Sequence, residues 1–145
     1  MSHEVFIDGK RYIPEPEATG PWGDLPPGYL SPHFREAEFT CNHCGSLEGH
    51  EVPWELLHVL EDVRAHFDGS SVTVTSGYRC KTHNDNVGSS DKSQHRKCTA
   101  ADIQLKGATP QAVHAYLTQS YPSKYGIGRY DSFTHVDVRP EKARW

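Results

Sequence analysis

The segment Phe133–Arg139, FTHVDVR, restricts the folds that this chain can adopt more than any other part of the sequence. In a β-strand, successive side chains point to opposite faces of the sheet. One face of this strand would therefore carry Val136 and Val138, and the other would carry His135 and Asp137. Because the valines suit a buried core, we expect the histidine and the aspartate to point into a cleft.

A second strand candidate, Ala100–Leu105, presents a carboxylate in the same way. Ile103 belongs to its core face, so Asp102 points in the opposite direction. Two neighbouring strands can then bring Asp102 and His135 to one point, and His95, on the loop before the strand, can supply a third group. Two neutral imidazoles and one carboxylate suit a tetrahedral zinc ion that keeps a fourth position open for water. The sequence therefore predicts a zinc site at these three residues.

Helical and strand patterns elsewhere indicate the fold class. Apolar residues at three- and four-residue spacing predict a helix that starts near Pro53 and ends at Asp68-Gly69, and a second helix over Pro110–Tyr121. Strand patterns cover Val5–Ile7 with Arg11–Ile13 (a hairpin around Asp8-Gly9), Ser71–Thr75, Ala100–Leu105, Gly126–Tyr130 and Phe133–Arg139. Helices and short strands without βαβ regularity predict an α+β domain with a small central antiparallel sheet flanked by helices.

Length and charge limit the domain organisation and the partners. The 145 residues fit one domain. The proline- and glycine-rich residues 1–30 predict an extended N-terminal arm, and residues 31–145 the domain itself. A net charge of −4 without a basic block argues against a nucleic-acid partner. No apolar run approaches the roughly 20 residues that span a bilayer, and no secretory signal is visible, so we expect no membrane insertion, synthesis in the cytoplasm, and a monomer.

The four cysteines permit several states. Cys41 and Cys44, in CNHCG, form half of a zinc-ribbon pattern. Its second half would have to come from Cys80 and Cys98, which lack the CxxC spacing. Two disulfides, with three possible pairings, and free thiols are the other options.

Three ordered segments resemble a known family. They are SGYRCKTHN (Ser76–Asn84), SQHRKCTAAD (Ser93–Asp102) and HVDVR (His135–Arg139). In this order they resemble the zinc D-alanyl-D-alanine carboxypeptidases and L-alanyl-D-glutamate endopeptidases, especially the short members found in bacteria and their phages. The resemblance runs from about Phe34 to Trp145. It implies the α+β fold that these enzymes share with the hedgehog N-terminal domain.

The resemblance also implies roles for individual residues. The zinc ligands of the family fall on His95, Asp102 and His135. The arginine of SGYR falls on Arg79, where a guanidinium would grip a substrate carboxylate or carbonyl better than an ammonium group. The alternative for this arginine is a structural ion pair.

Two polar residues of the same motifs, Ser93 and Asn84, match positions that we expect to fix the loops around the substrate site.

The chain departs from the family pattern at two positions. Cys98 replaces a glycine, and with Cys80 next to the motif arginine, a Cys80–Cys98 disulfide becomes conceivable if the Cα atoms lie within about 7 Å. Ser132 stands where many members have the acid that takes a proton from the attacking water. Asp137, on the strand face of the zinc histidine, and Asp131, one residue earlier than the usual position, are the remaining candidates for this base. Residues two apart on a strand lie about 6.5–7 Å apart at the backbone, so Asp137 could instead orient His135.

The expected activity is therefore zinc-dependent hydrolysis of peptidoglycan stem peptides or cross-links, as a carboxypeptidase or an endopeptidase. The lack of a visible signal favours a phage-type enzyme that acts on the cell wall. The alternative is a zinc-bearing wall-binding or structural module without catalysis, which the serine at position 132 keeps open.

Overall fold

A computed structural model describes Trp22, residues 24–90 and residues 92–145, together with the backbone of two short strands near the N-terminus. These strands, β1 (Val5–Ile7) and β2 (Lys10–Tyr12), pair antiparallel with Val5 opposite Tyr12. They agree with the predicted hairpin, whose Asp8-Gly9 turn lies outside the described residues. Most of the predicted arm over residues 1–30 also lies outside them, and its boundary stays a prediction. Trp22, within that range, is buried in the main core.

The remaining elements follow in chain order. They are β3 (Tyr29–Ser31), β4 (Phe34–Arg35), a 3-10 turn (Glu36–Glu38), α1 (Trp54–His66), β5 (Val72–Ser76), α2 (Lys81–Asn86), β6 (Ala100–Leu105), α3 (Pro110–Ser120), β7 (Gly126–Arg129), β8 (Thr134–Asp137) and β9 (Ala143–Arg144). Within the described part of the chain, no helix has the length and apolar character needed to span a bilayer.

The main sheet has five strands in the order β5-β6-β8-β7-β9. The first four strands pair antiparallel, as the sequence predicts. The fifth, β9, pairs parallel with β7, so the sheet is mixed. Strands β3 and β4 form a separate antiparallel pair. The α+β fold class is confirmed. Strand β9 was not predicted, because its two residues are too few to show a strand pattern.

Local sequence signals explain where the helices begin and end. Pro53 caps α1, and Asp68 and Gly69 adopt positive φ angles of 59° and 73° just beyond it. The hydroxyl of Thr109 accepts a hydrogen bond from the Ala112 N–H and caps α3. Side-chain and glycine caps satisfy terminal backbone groups that otherwise lack partners. Both predicted helices are therefore present with ends within about two residues of the prediction.

The core lies between the sheet and the two longer helices. Fully buried side chains come from α1, α3 and the sheet, and they include Leu56, Leu60, Val63, Leu117, Ile103, Ile127 and Val136. Trp54, which the helical pattern places on the apolar face of α1, is instead 52% exposed. It occupies the first helical position, where the tryptophan ring projects beyond the packed face.

A buried carboxylate joins α1 to the β3–β4 pair. Glu61 is 4% exposed and accepts hydrogen bonds from the Ser31 hydroxyl at 2.7 Å and the His33 N–H at 2.8 Å. Its second oxygen lies 2.6 Å from the His33 ring nitrogen Nδ1. Removing Glu61 takes away the acceptor that the Ser31 hydroxyl and the His33 N–H share, which is costly.

We therefore expect Glu61→Ala to lower the free energy of unfolding by about 3 kcal/mol. Glu61→Gln should cost less, because the amide oxygen can still accept from Ser31 and His33. Urea denaturation measures both changes. The exposed Glu51 offers the control, since Glu51→Ala should change stability by less than about 0.5 kcal/mol. Equal stability of Glu61→Ala and wild type would show that the buried set does not hold these elements together.

Candidate active site

A cavity of about 470 Å³ opens over the β6–β8 pair. One wall is the polar segment between α2 and β6, and the opposite wall consists of the rings of Tyr130, Phe133 and Trp145. Tyr130 and Phe133 stack with ring centroids 4.4 Å apart, and the Trp145 indole N–H donates to the Tyr130 hydroxyl at 2.8 Å. The cavity thus has a polar side and an aromatic side.

His95, Asp102 and His135 meet at the floor of this cavity. The antiparallel register places Asp102 directly opposite His135. The Oδ1 atom of Asp102 lies 3.2 Å from His95 Nε2 and 3.0 Å from His135 Nδ1. All three side chains are buried, and one ligand atom from each lies within 4.8 Å of the others. The structure thus brings together the three residues predicted to bind zinc.

The backbone fixes the orientation of the His95 ring. His95 Nδ1 lies 2.7 Å from the Gly77 carbonyl, which can only accept, so Nδ1 carries a proton and Nε2 faces Asp102. Gly77 is needed for this arrangement, because a Cβ atom there would come within 2.7 Å of the Phe39 backbone. The Ser93 hydroxyl accepts a hydrogen bond from the His95 N–H at 3.2 Å and holds the same loop.

Asp137 fixes His135 from the side opposite to Asp102. Its Oδ2 lies 2.7 Å from His135 Nε2, so Nε2 donates and Nδ1 faces Asp102. Asp137 is fully buried and also accepts from Arg139 at 2.7 and 2.8 Å and from the Gly126 N–H at 3.2 Å. A Cβ at Gly126 would overlap the carboxylate. Both oxygens of Asp137 are therefore engaged away from the cavity.

These hydrogen bonds leave one nitrogen of each imidazole and one oxygen of Asp102 facing one another. Burial alone would raise the pKa of Asp102, but the contacts with His135 and His95 lower that pKa far below its ordinary value. Burial lowers the pKa of His135, yet the carboxylates of Asp102 and Asp137 outweigh it and raise that pKa. Zinc bound here would take the place of the protons that otherwise link the two imidazoles to the carboxylate. The donor set fits zinc.

Arg79 lies beside the donors and lines the cavity. Its Nε donates to the Ser76 hydroxyl at 3.3 Å, and Nη2 lies 3.5 Å from Asp102 Oδ2. The guanidinium thus contacts a predicted ligand on one side and the cavity on the other. Both the structural ion pair and the substrate-binding role agree with this position.

Asn84 secures the polar wall. Its side-chain amide donates to the carbonyls of Ser90 at 2.8 Å and Ser89 at 3.4 Å, and the residue is fully buried within α2. Asn84 and Ser93 therefore contact the loop backbone, which agrees with the loop-fixing role expected from the sequence.

Residues 32–137 match the protein family described as peptidase M15. The chain belongs to the peptidase M15 family. The match spans more than half of the chain and confirms the resemblance found in the three motifs. The peptidase M15 proteins are zinc-dependent metallopeptidases, which agrees with the donor set at His95, Asp102 and His135. No curated protein matches the sequence.

Ser132 stands where the resemblance led us to expect an acid. None of the described residues that line the cavity replaces that acid. Asp102 is the only carboxylate in that lining, and Asp91, between Ser90 and Lys92, lies outside the described residues. Asp131 is exposed on the turn between β7 and β8 and is not part of the lining. Asp137 lies behind His135.

The structure contains none of the disulfides considered for the chain, because all four cysteines are free. Cys98 adopts a positive φ of 62°, which explains why a glycine is usual at this position of the motif. Burial raises the pKa of its thiol to about 11. Cys80 lies with Cys41 and Cys44 instead.

Sequence reasoning missed three residues of the site. Trp145 lies with its ring centroid 5.1 Å from that of His135, and Gly128 makes room for it, since a Cβ there would overlap the indole. Gly126 does the same for Asp137. The Gly-x-Gly pattern of β7 was the available signal, because paired glycines in a strand often mark a close approach.

The contact between Asp137 and His135 leads to a prediction about metal affinity. Asp137→Asn should lower the affinity for zinc by about 10- to 100-fold, because the amide no longer enforces the His135 tautomer. The zinc in question is the ion that His95→Ala loses. Competition with a chromogenic chelator measures the change. Asp131→Asn is the matched control and should keep wild-type affinity. If Asp137→Asn folds and binds zinc as tightly as wild type, the positioning role is wrong.

Proposed function

We propose that this protein is a zinc-dependent peptidase that hydrolyses peptide bonds in the stem peptides or cross-links of bacterial peptidoglycan, as a carboxypeptidase or an endopeptidase. The observation that carries the proposal is the convergence of His95, Asp102 and His135 on the floor of an open cavity. Membership of the peptidase M15 family supports it. We also propose that the site of action is the cell wall.

The three donors would hold zinc, which, when bound, would acidify a water molecule and polarise the scissile carbonyl. The chain supports this by aiming one nitrogen of each imidazole at the place of the ion. The Gly77 carbonyl keeps the proton of His95 on Nδ1, and Asp137 keeps the proton of His135 on Nε2. Such outer hydrogen bonds orient the ligands and raise their basicity.

The charge of the cavity supports a substrate that carries carboxylates. Arg79, Lys92 and Arg139 line it, whereas Asp102 is the only acid among its described lining residues. Arg139 is held by Asp137, so Arg79 and Lys92 are better placed to meet an incoming carboxylate. Stem peptides contain several carboxylates, and a fork of N–H donors on Arg79 can bind one of them through two hydrogen bonds.

Asp137 and Asp131 take different parts in this proposal. The buried Asp137 acts as a positioning residue for His135, because both of its oxygens already accept hydrogen bonds. Asp131 remains the candidate base of the two. Loss of cleavage in Asp131→Asn with zinc retained would support that role, and unchanged cleavage would exclude it.

Purified peptidoglycan provides the direct test. The protein should release new amino groups, lose this activity with a chelator and regain it with zinc, and His95→Ala should be inactive. Binding to sedimented peptidoglycan without any released amino groups would contradict the peptidase and favour the wall-binding module.

A conservative change at Arg79 tests its contact with the substrate. Hydrogen bonds to charged groups contribute about 1.5–3 kcal/mol, so Arg79→Lys should lower kcat/KM by about 10- to 100-fold while the zinc content stays the same. Arg129→Lys, at an exposed position outside the cavity, is the matched control and should be unaffected. Loss of zinc in Arg79→Lys would assign the arginine to the structural ion pair with Asp102 instead.

A further inference from the structure

A second group of metal-binding side chains lies outside the candidate active site. The Sγ atoms of Cys41, Cys44 and Cys80 all lie within 4.8 Å of one another. Sulfurs around a tetrahedral zinc ion are about 3.8 Å apart, because each Zn–S bond is about 2.3 Å long. The three thiols are therefore close to the separation that a shared zinc ion requires.

The backbone around these sulfurs is arranged to stabilise negative charge. The N–H groups of His43 and Cys80 both donate to Cys41 Sγ at 3.4 Å. The N–H of His83 donates to Cys80 Sγ, also at 3.4 Å, from the first turn of α2. A thiolate accepts such bonds more strongly than a thiol. Two of the sulfurs are thus held in place by the main chain before any metal binds.

The spacing of the residues identifies a fourth ligand. Cys41 and Cys44 are separated by two residues, and so are Cys80 and His83. Cys-x2-Cys and its histidine variants are the usual spacing of structural zinc ligands. His83 is partly buried, and its backbone N–H donates to the Cys80 sulfur. Its imidazole is not among the ligand atoms that lie within 4.8 Å of one another, so the ring would turn toward the sulfurs when zinc binds. From the sequence, we looked for the second pair of ligands at Cys80 and Cys98. The Cys80–His83 pair was missed because its second member is a histidine.

We propose that Cys41, Cys44, Cys80 and His83 form a structural zinc site, distinct from the site at His95, Asp102 and His135. Three thiolates and an imidazole make a closed, soft ligand set that favours zinc over magnesium or calcium. Nothing in this inference depends on peptidase activity.

The site would fasten two chain segments together next to the active site. Residues 39–44 precede α1, and residues 77–83 lead into α2. The Tyr78 N–H already donates to the Phe39 carbonyl at 2.8 Å, and Gly77 packs against the same backbone. Zinc would reinforce this junction immediately beside Arg79. Its loss should therefore lower stability as well as metal content.

Metal content of protein purified under reducing conditions tests the proposal. Wild type should hold about two zinc ions per chain after gel filtration with a weak chelator. Cys44→Ser, at an exposed position that should tolerate the change, should hold about one, as should His95→Ala, and the double variant none. The two losses being additive would show two independent sites.

Cobalt substitution identifies which site is which. Thiolate-to-cobalt charge transfer requires sulfur ligands, and the His95 site has none. The absorption band should therefore survive in His95→Ala and disappear in Cys44→Ser. His83→Ala should weaken the band and lower the thermal midpoint, whereas the exposed His43→Ala should leave both unchanged. The buried Cys98→Ala should leave the band unchanged.

Two results would overturn the proposal. The first is a wild-type stoichiometry of about one zinc that is lost entirely in His95→Ala. The second is a Cys41–Cys44 disulfide, found by mass spectrometry in protein kept reduced throughout purification, because oxidised sulfurs cannot serve as thiolate ligands.

Discussion

The antiparallel pairing of β6 with β8 is the constraint on which both the core and the candidate active site depend. It sets Asp102 opposite His135, while the neighbouring residues Ile103 and Val136 enter the core on the other face. Side chains alternate with a period of two, so a shift of one residue would send the donors into the core and the apolar residues into the cavity. The burial of apolar side chains therefore fixes the register that assembles the site.

A chain of alternating charges runs through this site. Arg139 contacts Asp137, which contacts His135, and on the far side of His135 lies Asp102 beside Arg79. Buried carboxylates are costly unless they are paired, and here each one lies between two positive or hydrogen-donating groups. The arrangement explains why the fully buried Asp137 keeps its charge, since its bonds with His135 and Arg139 outweigh the effect of burial and lower its pKa.

The parts that sequence could predict are those set by local rules. The ends of α1 follow from Pro53 and Asp68-Gly69, and the alternation in β8 was enough to put His135 and Asp137 on one face. Strand spacing also indicated that Asp137 could orient His135. It could not show that both carboxylate oxygens accept further hydrogen bonds from Arg139 and Gly126, which depends on the β7–β8 register.

Long-range contacts account for what the sequence left out. The aromatic wall with Trp145 exists because β9 turns back to pair parallel with β7, and a two-residue strand carries no periodic signal. The sequence likewise did not show which residues lie next to Cys80 in the folded chain. The Cys80 backbone N–H donates to the sulfur of Cys41, 39 residues away, and only the folded chain shows that contact.

The segment Ser76–Cys80 connects these features within five residues. Its first residue ends β5 and its last is the N-cap of α2, and the groups between them face different surroundings. The Gly77 carbonyl orients His95, the side chain of Arg79 reaches Asp102 and the cavity, and Cys80 joins the thiol cluster. Tyr78, buried between them, donates its hydroxyl to Glu48 at 2.6 Å and accepts from Arg96 at 2.9 Å. A zinc ion bound at Cys80 would therefore restrict the same segment that positions His95 and Arg79.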